Sequence, residues 1–182
     1  MSILAFNTIH KYQTMKKLIF TILISSLFLN VYSQTSEEFY KSANTKMHDL
    51  HDYPGAIKDF DKAIALNPKY EWAYYGRGIA KNLNKEYGAA IADYDTAIML
   101  NQQFAEAYSG RGNSEGRLNE NKKAMEDFNK AIEINPKYPE AYLGRGLVKI
   151  NMRDPAGACN DLKTSADLGS KFALTVIEKF CK

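Results

Sequence analysis

The chain has 182 residues, 24 of them basic and 21 acidic for a formal charge of +3, with 45% hydrophobic residues, 25% charged residues and two cysteines. Lys11, Lys16 and Lys17 account for the whole excess, so residues 34–182 carry 21 basic against 21 acidic side chains. That balance supplies no basic stripe for phosphates and argues against nucleic acid as a partner; the length suits one domain.

Residues 1–33 contain no Asp or Glu, and their middle reads Met15, Lys16, Lys17 and then a mostly apolar run from Leu18 to Leu29. The run is shorter than the roughly 20 residues of a bilayer span and reads as a secretory signal peptide cut after Ser33. Met15 is an alternative start, and an uncleaved amino-terminal anchor is the alternative reading of the run. No cysteine follows it, which argues against a lipid-modified terminus. On the signal reading the mature chain keeps no transmembrane span and is exported, to the periplasm, the outer envelope or the medium. The lysine pair, the short run and Gln34 resemble exported proteins of Gram-negative bacteria of the Bacteroidetes kind.

Beyond the leader the sequence repeats at an interval of 34 residues: YGRG begins at Tyr75, SGRG at Ser109 and LGRG at Leu143. Ala56, Ala90, Ala124 and Ala158 share one register, and Phe60, Tyr94, Phe128 and Leu162 share another. Apolar residues recur at three and four, as in Ala56, Ile57, Phe60, Ala63 and Ile64, which places them on one helical face. This periodicity predicts helix pairs at 36–49 and 54–66, 71–84 and 87–100, 105–118 and 121–134, and 139–152 and 155–168. Asn67-Pro68 and Asn135-Pro136 are expected to end helices, with Asn in the left-handed conformation. Asp154-Pro155 is expected to start one. Each of Gly78, Gly112 and Gly146 costs about 1 kcal/mol relative to alanine inside a helix, so three in register imply close contact with a neighbouring helix.

Tyr74, Tyr108 and Tyr142, Gly78, Gly112 and Gly146, the alanine and Phe/Tyr registers, and Pro68 and Pro136 together resemble the tetratricopeptide repeat (TPR) family over residues 36–170. The resemblance implies an all-α, right-handed superhelix of four helix-turn-helix repeats, at 37–70, 71–104, 105–138 and 139–170. Residues 171–182 are expected to form a capping helix, with Phe172, Val176, Ile177 and Phe180 covering the last pair. Arg77, Arg111 and Arg145 depart from the family's usual leucine, and Lys81, Glu115 and Lys149 from its second aromatic. The ending GACNDLKTSADLG and the late cysteine also resemble the terminal segment of exported bacterial TPR proteins.

Arg77, Arg111 and Arg145 have counterparts at the same period in Asp59, Asp93, Asp127 and Asp161, which predicts a structural ladder of ion pairs within or between repeats. One Asp is left over either way. Cys159 and Cys181 are read as a disulfide tying the cap to the stack, the alternative being two separate buried thiols. His48 and His51 are too few for a metal site, and neither a nucleophile nor a zinc-protease motif occurs, so neither catalysis nor a cofactor is expected.

Function then falls to the concave face, which the resemblance assigns to the first helix of each pair. The candidate partner-binding residues are Lys41, Trp72, Tyr75, Ile79, Asn82, Ser109, Asn113, Arg117, Leu143 and Leu147. Of these, Lys41 matches the groove of TPR proteins that clamp carboxylate tails, whereas Gly76, Glu106 and Gly110 do not. A non-catalytic scaffold for a protein or peptide partner is the leading expectation; a carrier for a glycan fragment or lipid is the alternative. Trp72 and Tyr75 are read as anchors, with packing of Trp72 between repeats as the other reading.

Overall fold

The computed structural model describes residues 35–181. The signal peptide expected at 1–33 and the alternative start at Met15 lie outside them. From Ser36 onward the chain belongs to one compact unit, built of helices α1 (Ser36–His48), α2 (Tyr53–Leu66), α3 (Glu71–Leu83), α4 (Tyr87–Leu100), α5 (Ala105–Arg117), α6 (Asn121–Ile134), α7 (Pro139–Asn151), α8 (Pro155–Asp167) and α9 (Lys171–Phe180). No strand occurs among the described residues, and no described helix is long and apolar enough to cross a membrane.

The helices pack as antiparallel pairs, α1 with α2 through α7 with α8, and each second helix also packs on the first helix of the next pair. Each first helix touches the first helix of the next pair as well, whereas the second helices of successive pairs meet marginally or not at all. The first helices therefore line the inside of the curve.

The core explains the glycine register. Phe60, Tyr94, Phe128 and Leu162, one from each second helix, are essentially inaccessible to solvent. The Tyr94 ring lies between two first helices: a Cβ on Gly78 of its own repeat, or on Gly110 of the next, would stand 2.7 Å from its Cε1. Phe60 crowds Gly76 in the same way, and Phe128 crowds Gly144. Each GRG motif thus receives a ring from the preceding repeat at its first glycine and the large side chain of its own repeat at its second. At Gly76, Gly78, Gly110 and Gly144 the gap is too narrow for a methyl group, and at Gly112 and Gly146 it would be tight, at 3.2 and 3.1 Å, which is why glycine persists here against its helix propensity.

Turn geometry divides into two kinds. Within repeats, the left-handed residues are His51, Lys85, Asn119 and Arg153, with φ of 54°, 64°, 61° and 61°. Between repeats the left-handed asparagine expected from the sequence is not found. Asn67, Asn101 and Asn135 have φ of −137°, −140° and −132°, and their side-chain carbonyls accept from the N–H of Lys69, Gln103 and Lys137. Proline after Asn67 and Asn135 disfavours helical backbone at the residue before it, so these turns leave the helix extended and close through the Asn side chain. Asp52 and Asp154 cap α2 and α8 by accepting from Gly55 N–H and Gly157 N–H, each at 2.9 Å.

The stack ends differently. Gly169, at the position of Asn135 one repeat on, is left-handed with φ 106°. The turn to α9 is therefore of the kind used inside repeats, and the Ser170 hydroxyl caps α9 at Ala173 N–H. Ser165 replaces the core alanine and stays buried because its hydroxyl donates to the Pro139 carbonyl at 2.8 Å. Ala173 and Val176 of α9 are buried against the last pair, while Phe172 and Phe180 are 60% and 44% exposed. The Cys159 and Cys181 sulfurs stand 2.03 Å apart, bonded across a separation of 22 residues.

Candidate partner-binding groove

The wall between the two helices of each pair carries the charged ladder. Arg77 donates through Nε and Nη2 to both carboxylate oxygens of Asp93, at 2.9 and 2.5 Å, and through Nη1 to Asp61. Arg111 repeats this with Asp127 and Asp95, and Arg145 with Asp161 and Asn129. Each guanidinium also lies over the ring of Tyr74, Tyr108 or Tyr142, at 5.6, 5.5 and 5.5 Å from the centroid. Each Arg thus pairs with the Asp of its own repeat, and Asp59 is the one left over. The first repeat has Ala43 at the arginine position, so Lys46 reaches Asp59 at 2.6 Å, joined by Ser42. These side chains are committed to one another and brace the inner helices from behind.

Beside the ladder, Lys81 and Lys149 add ammonium groups to Asp93 and Asp161 at 2.7 and 2.8 Å. The same position in the third repeat is Glu115, 6% exposed, with Oε2 buried and unbonded among the described residues. Burial, and then the charge of Asp127, push its carboxyl up to about 7.

On the open side of the inner helices, a cavity of about 310 Å³ is lined by Tyr75, Ile79, Asn82, Ser109, Asn113 and Arg117, with Glu106, Tyr138 and Glu140 on its rim. A second, of about 300 Å³, continues from Asn113 and Arg117 to Leu147, Asn151 and Phe180. Three successive first helices, α3, α5 and α7, contribute to this surface. Its floor is polar at Ser109, whose buried hydroxyl has no partner among the described residues, and at Asn82, whose amide donates to Ser114 Oγ at 2.6 Å. Tyr75 and Tyr138 line the same cavity, and burial raises the Tyr75 hydroxyl pKa to about 12, so it stays protonated at neutral pH.

The candidates from the sequence divide accordingly. Tyr75, Ile79, Asn82, Ser109, Asn113, Arg117 and Leu147 come together around the two cavities. Trp72 stands beside them, 40% exposed, its ring 4.5 Å from Phe104, which caps the first helix of the next repeat, and 5.8 Å from Tyr75; it packs at the junction of two repeats and still presents an edge to solvent. Leu143 is half-buried and lines neither cavity. Lys41 is exposed and pairs with Glu37 at 3.1 Å. Sequence reading missed Tyr138 and Phe180. Tyr138 had a signal, because Tyr70, Phe104 and Tyr138 recur every 34 residues just before the first helices. Phe180 had none, since it comes from the cap.

Comparison with known proteins agrees with this architecture. The family profile described as TPR repeat matches residues 47–85 and 112–152. A solved structure of MamA protein is 30% identical over 73% of this chain and 72% of its own, with a TM-score of 0.64. Another MamA structure is 29% identical over 81% and 86%, with a TM-score of 0.67. The first TPR of Spaghetti (RPAP3), solved bound to an HSP90 peptide, shares the fold at 23% identity, covering 66% of this chain and 95% of its own, with a TM-score of 0.63. No curated protein sequence matches. With its 34-residue period, its glycine-seated core and this likeness to MamA, the chain belongs to the tetratricopeptide repeat family.

Proposed function

We propose that this protein is an exported, non-catalytic scaffold whose inner groove holds an extended segment of a partner protein. The observation that carries this reading is the continuity of the groove over α3, α5 and α7, with apolar and hydrogen-bonding side chains alternating along it. Such a lining suits a peptide, which presents both side chains and backbone amides. The TPR of Spaghetti, which shares the fold, is solved with a peptide bound. The leader-like residues 1–33 and the Cys159–Cys181 link support export, because a structural disulfide persists in oxidising compartments.

Capture of proteins from an envelope extract tests this reading, comparing the protein with its Trp72→Ala and Asn113→Ala forms. Loss of the same captured protein with both variants is the expected result. Trp72 is the only tryptophan, so its fluorescence also reports on the carrier alternative. An emission change with glycan fragments or lipids, and protein capture indifferent to both variants, would contradict the scaffold.

A further inference from the structure

The far end of the groove is built partly by α9. Phe180 lines the cavity that continues from Asn113 and Arg117, facing Leu147, Val148 and Asn151. It also lines a second cavity of about 300 Å³ with Ile150, Arg153 and Cys159. Its neighbour Cys181 is bonded to Cys159, so the ring is held at the end of the stack. Being 44% exposed, it offers a face that the repeats leave uncovered.

The charged side chains that line these two cavities are basic. Arg117 lines the first cavity, Arg153 lines the second, and the Lys179 ammonium lies 5.1 Å from the Phe180 ring centroid. Arg77, Arg111 and Arg145 each make three hydrogen bonds to acidic or amide side chains. Arg117, Arg153 and Lys179 have no carboxylate partner among the described residues, and no carboxylate lines either cavity. An apolar pocket ringed by unpaired cations is complementary to an apolar side chain flanked by carboxylates.

We infer that this end of the groove is a subsite, completed by Phe180, for an acidic segment of a partner protein carrying a leucine or aromatic residue beside Asp or Glu. The inference rests on the scaffold reading and adds the partner's chemistry to it. The apolar side chain enters between Phe180 and Leu147, and its acidic neighbours meet Arg117 and Arg153.

A random nine-residue peptide library displayed on phage, selected on the intact protein, tests it. Enriched sequences should pair Asp or Glu with Leu, Phe or Tyr. Binding of the best of them, made as a free peptide, should fall about tenfold with Phe180→Ala, as for a hot-spot contact, and by at least as much with Arg117→Glu. Replacing its acidic residues by Lys should restore binding to Arg117→Glu. Both sites are on the surface, so unchanged melting temperatures show that the variants fold. Enriched peptides without acidic residues, or binding unaffected by both variants yet lost with Ile79→Ala at the other cavity, would overturn the subsite and leave the groove standing. Failure to enrich any peptide would count against the scaffold reading and this inference together.

Discussion

Tyr94 lies with its ring edge against Gly110 of the following repeat, so close that a Cβ there would stand 2.7 Å from Cε1. The contact joins two repeats through a position in α5 where a side chain would collide with that ring. Gly110→Ala gains helix propensity of about 1 kcal/mol but forces a buried ring to move, at about 1–3 kcal/mol. We expect a net loss of up to about 2 kcal/mol in urea unfolding. Gly88, with nothing within 4 Å of its missing Cβ, is the control: Gly88→Ala should stabilise by about 0.5 kcal/mol.

The ladder should behave as a set of buried pairs. Asp127 is 5% exposed and bound twice by Arg111 at 2.7 Å. Arg111→Ala leaves that carboxylate unpaired beside Glu115 and should cost about 3 kcal/mol or more. Arg111→Leu with Asp127→Asn removes the stranded charge and should recover part of the loss. A double-mutant cycle by denaturant unfolding measures the coupling; additive losses would show that the two do not act as a pair.

Glu115 makes the third repeat pH-sensitive. Its carboxyl is shifted from 4.5 up to about 7 in the fold, chiefly by burial. A raised acid pKa means that the unfolded chain releases its proton first. The contribution of the neutral group is complete below about 4.5 and is lost as pH rises through about 7. Glu115→Gln should therefore raise stability at pH 8 by about 2 kcal/mol and leave it unchanged at pH 4. Glu115→Lys should gain at least as much at pH 8, because it recreates the contacts that Lys81 and Lys149 make with Asp93 and Asp161. Unfolding midpoints at the two pH values decide; equal midpoints for Gln and Glu at pH 8 would contradict the shift.

Reduction of Cys159–Cys181 opens a loop of 22 residues and should lower stability by about 3 kcal/mol on the chain-entropy account. Cys159→Ser with Cys181→Ser should match the reduced protein. Hydrogen exchange should localise the loosening to α9 and the end of α8, because the other repeats keep their own neighbours.

The fold was legible because it is periodic. Alanines, aromatics and glycines in phase placed the helix ends within about one residue of those observed, as at Glu71–Leu83 and Asn121–Ile134. The groove was legible through the same period, which put Ile79, Asn113 and Leu147 on one surface. Tyr138 escaped although it recurs with Tyr70 and Phe104 every 34 residues, and the rest of what escaped depends on particular contacts. The backbone of Asn67 follows from its side-chain bond to Lys69 N–H rather than from its identity, and Asp59 is satisfied by Lys46, outside the arginine register. Phe180 reaches the groove only because α9 turns back through Gly169.

Hydrogen–deuterium exchange of the protein with and without a captured partner tests the groove reading most directly. Protection is expected along α3, α5 and α7, strongest near Asn113 and Arg117, with α2, α4 and α6 unchanged. Protection confined to those second helices, or none at all, would contradict it.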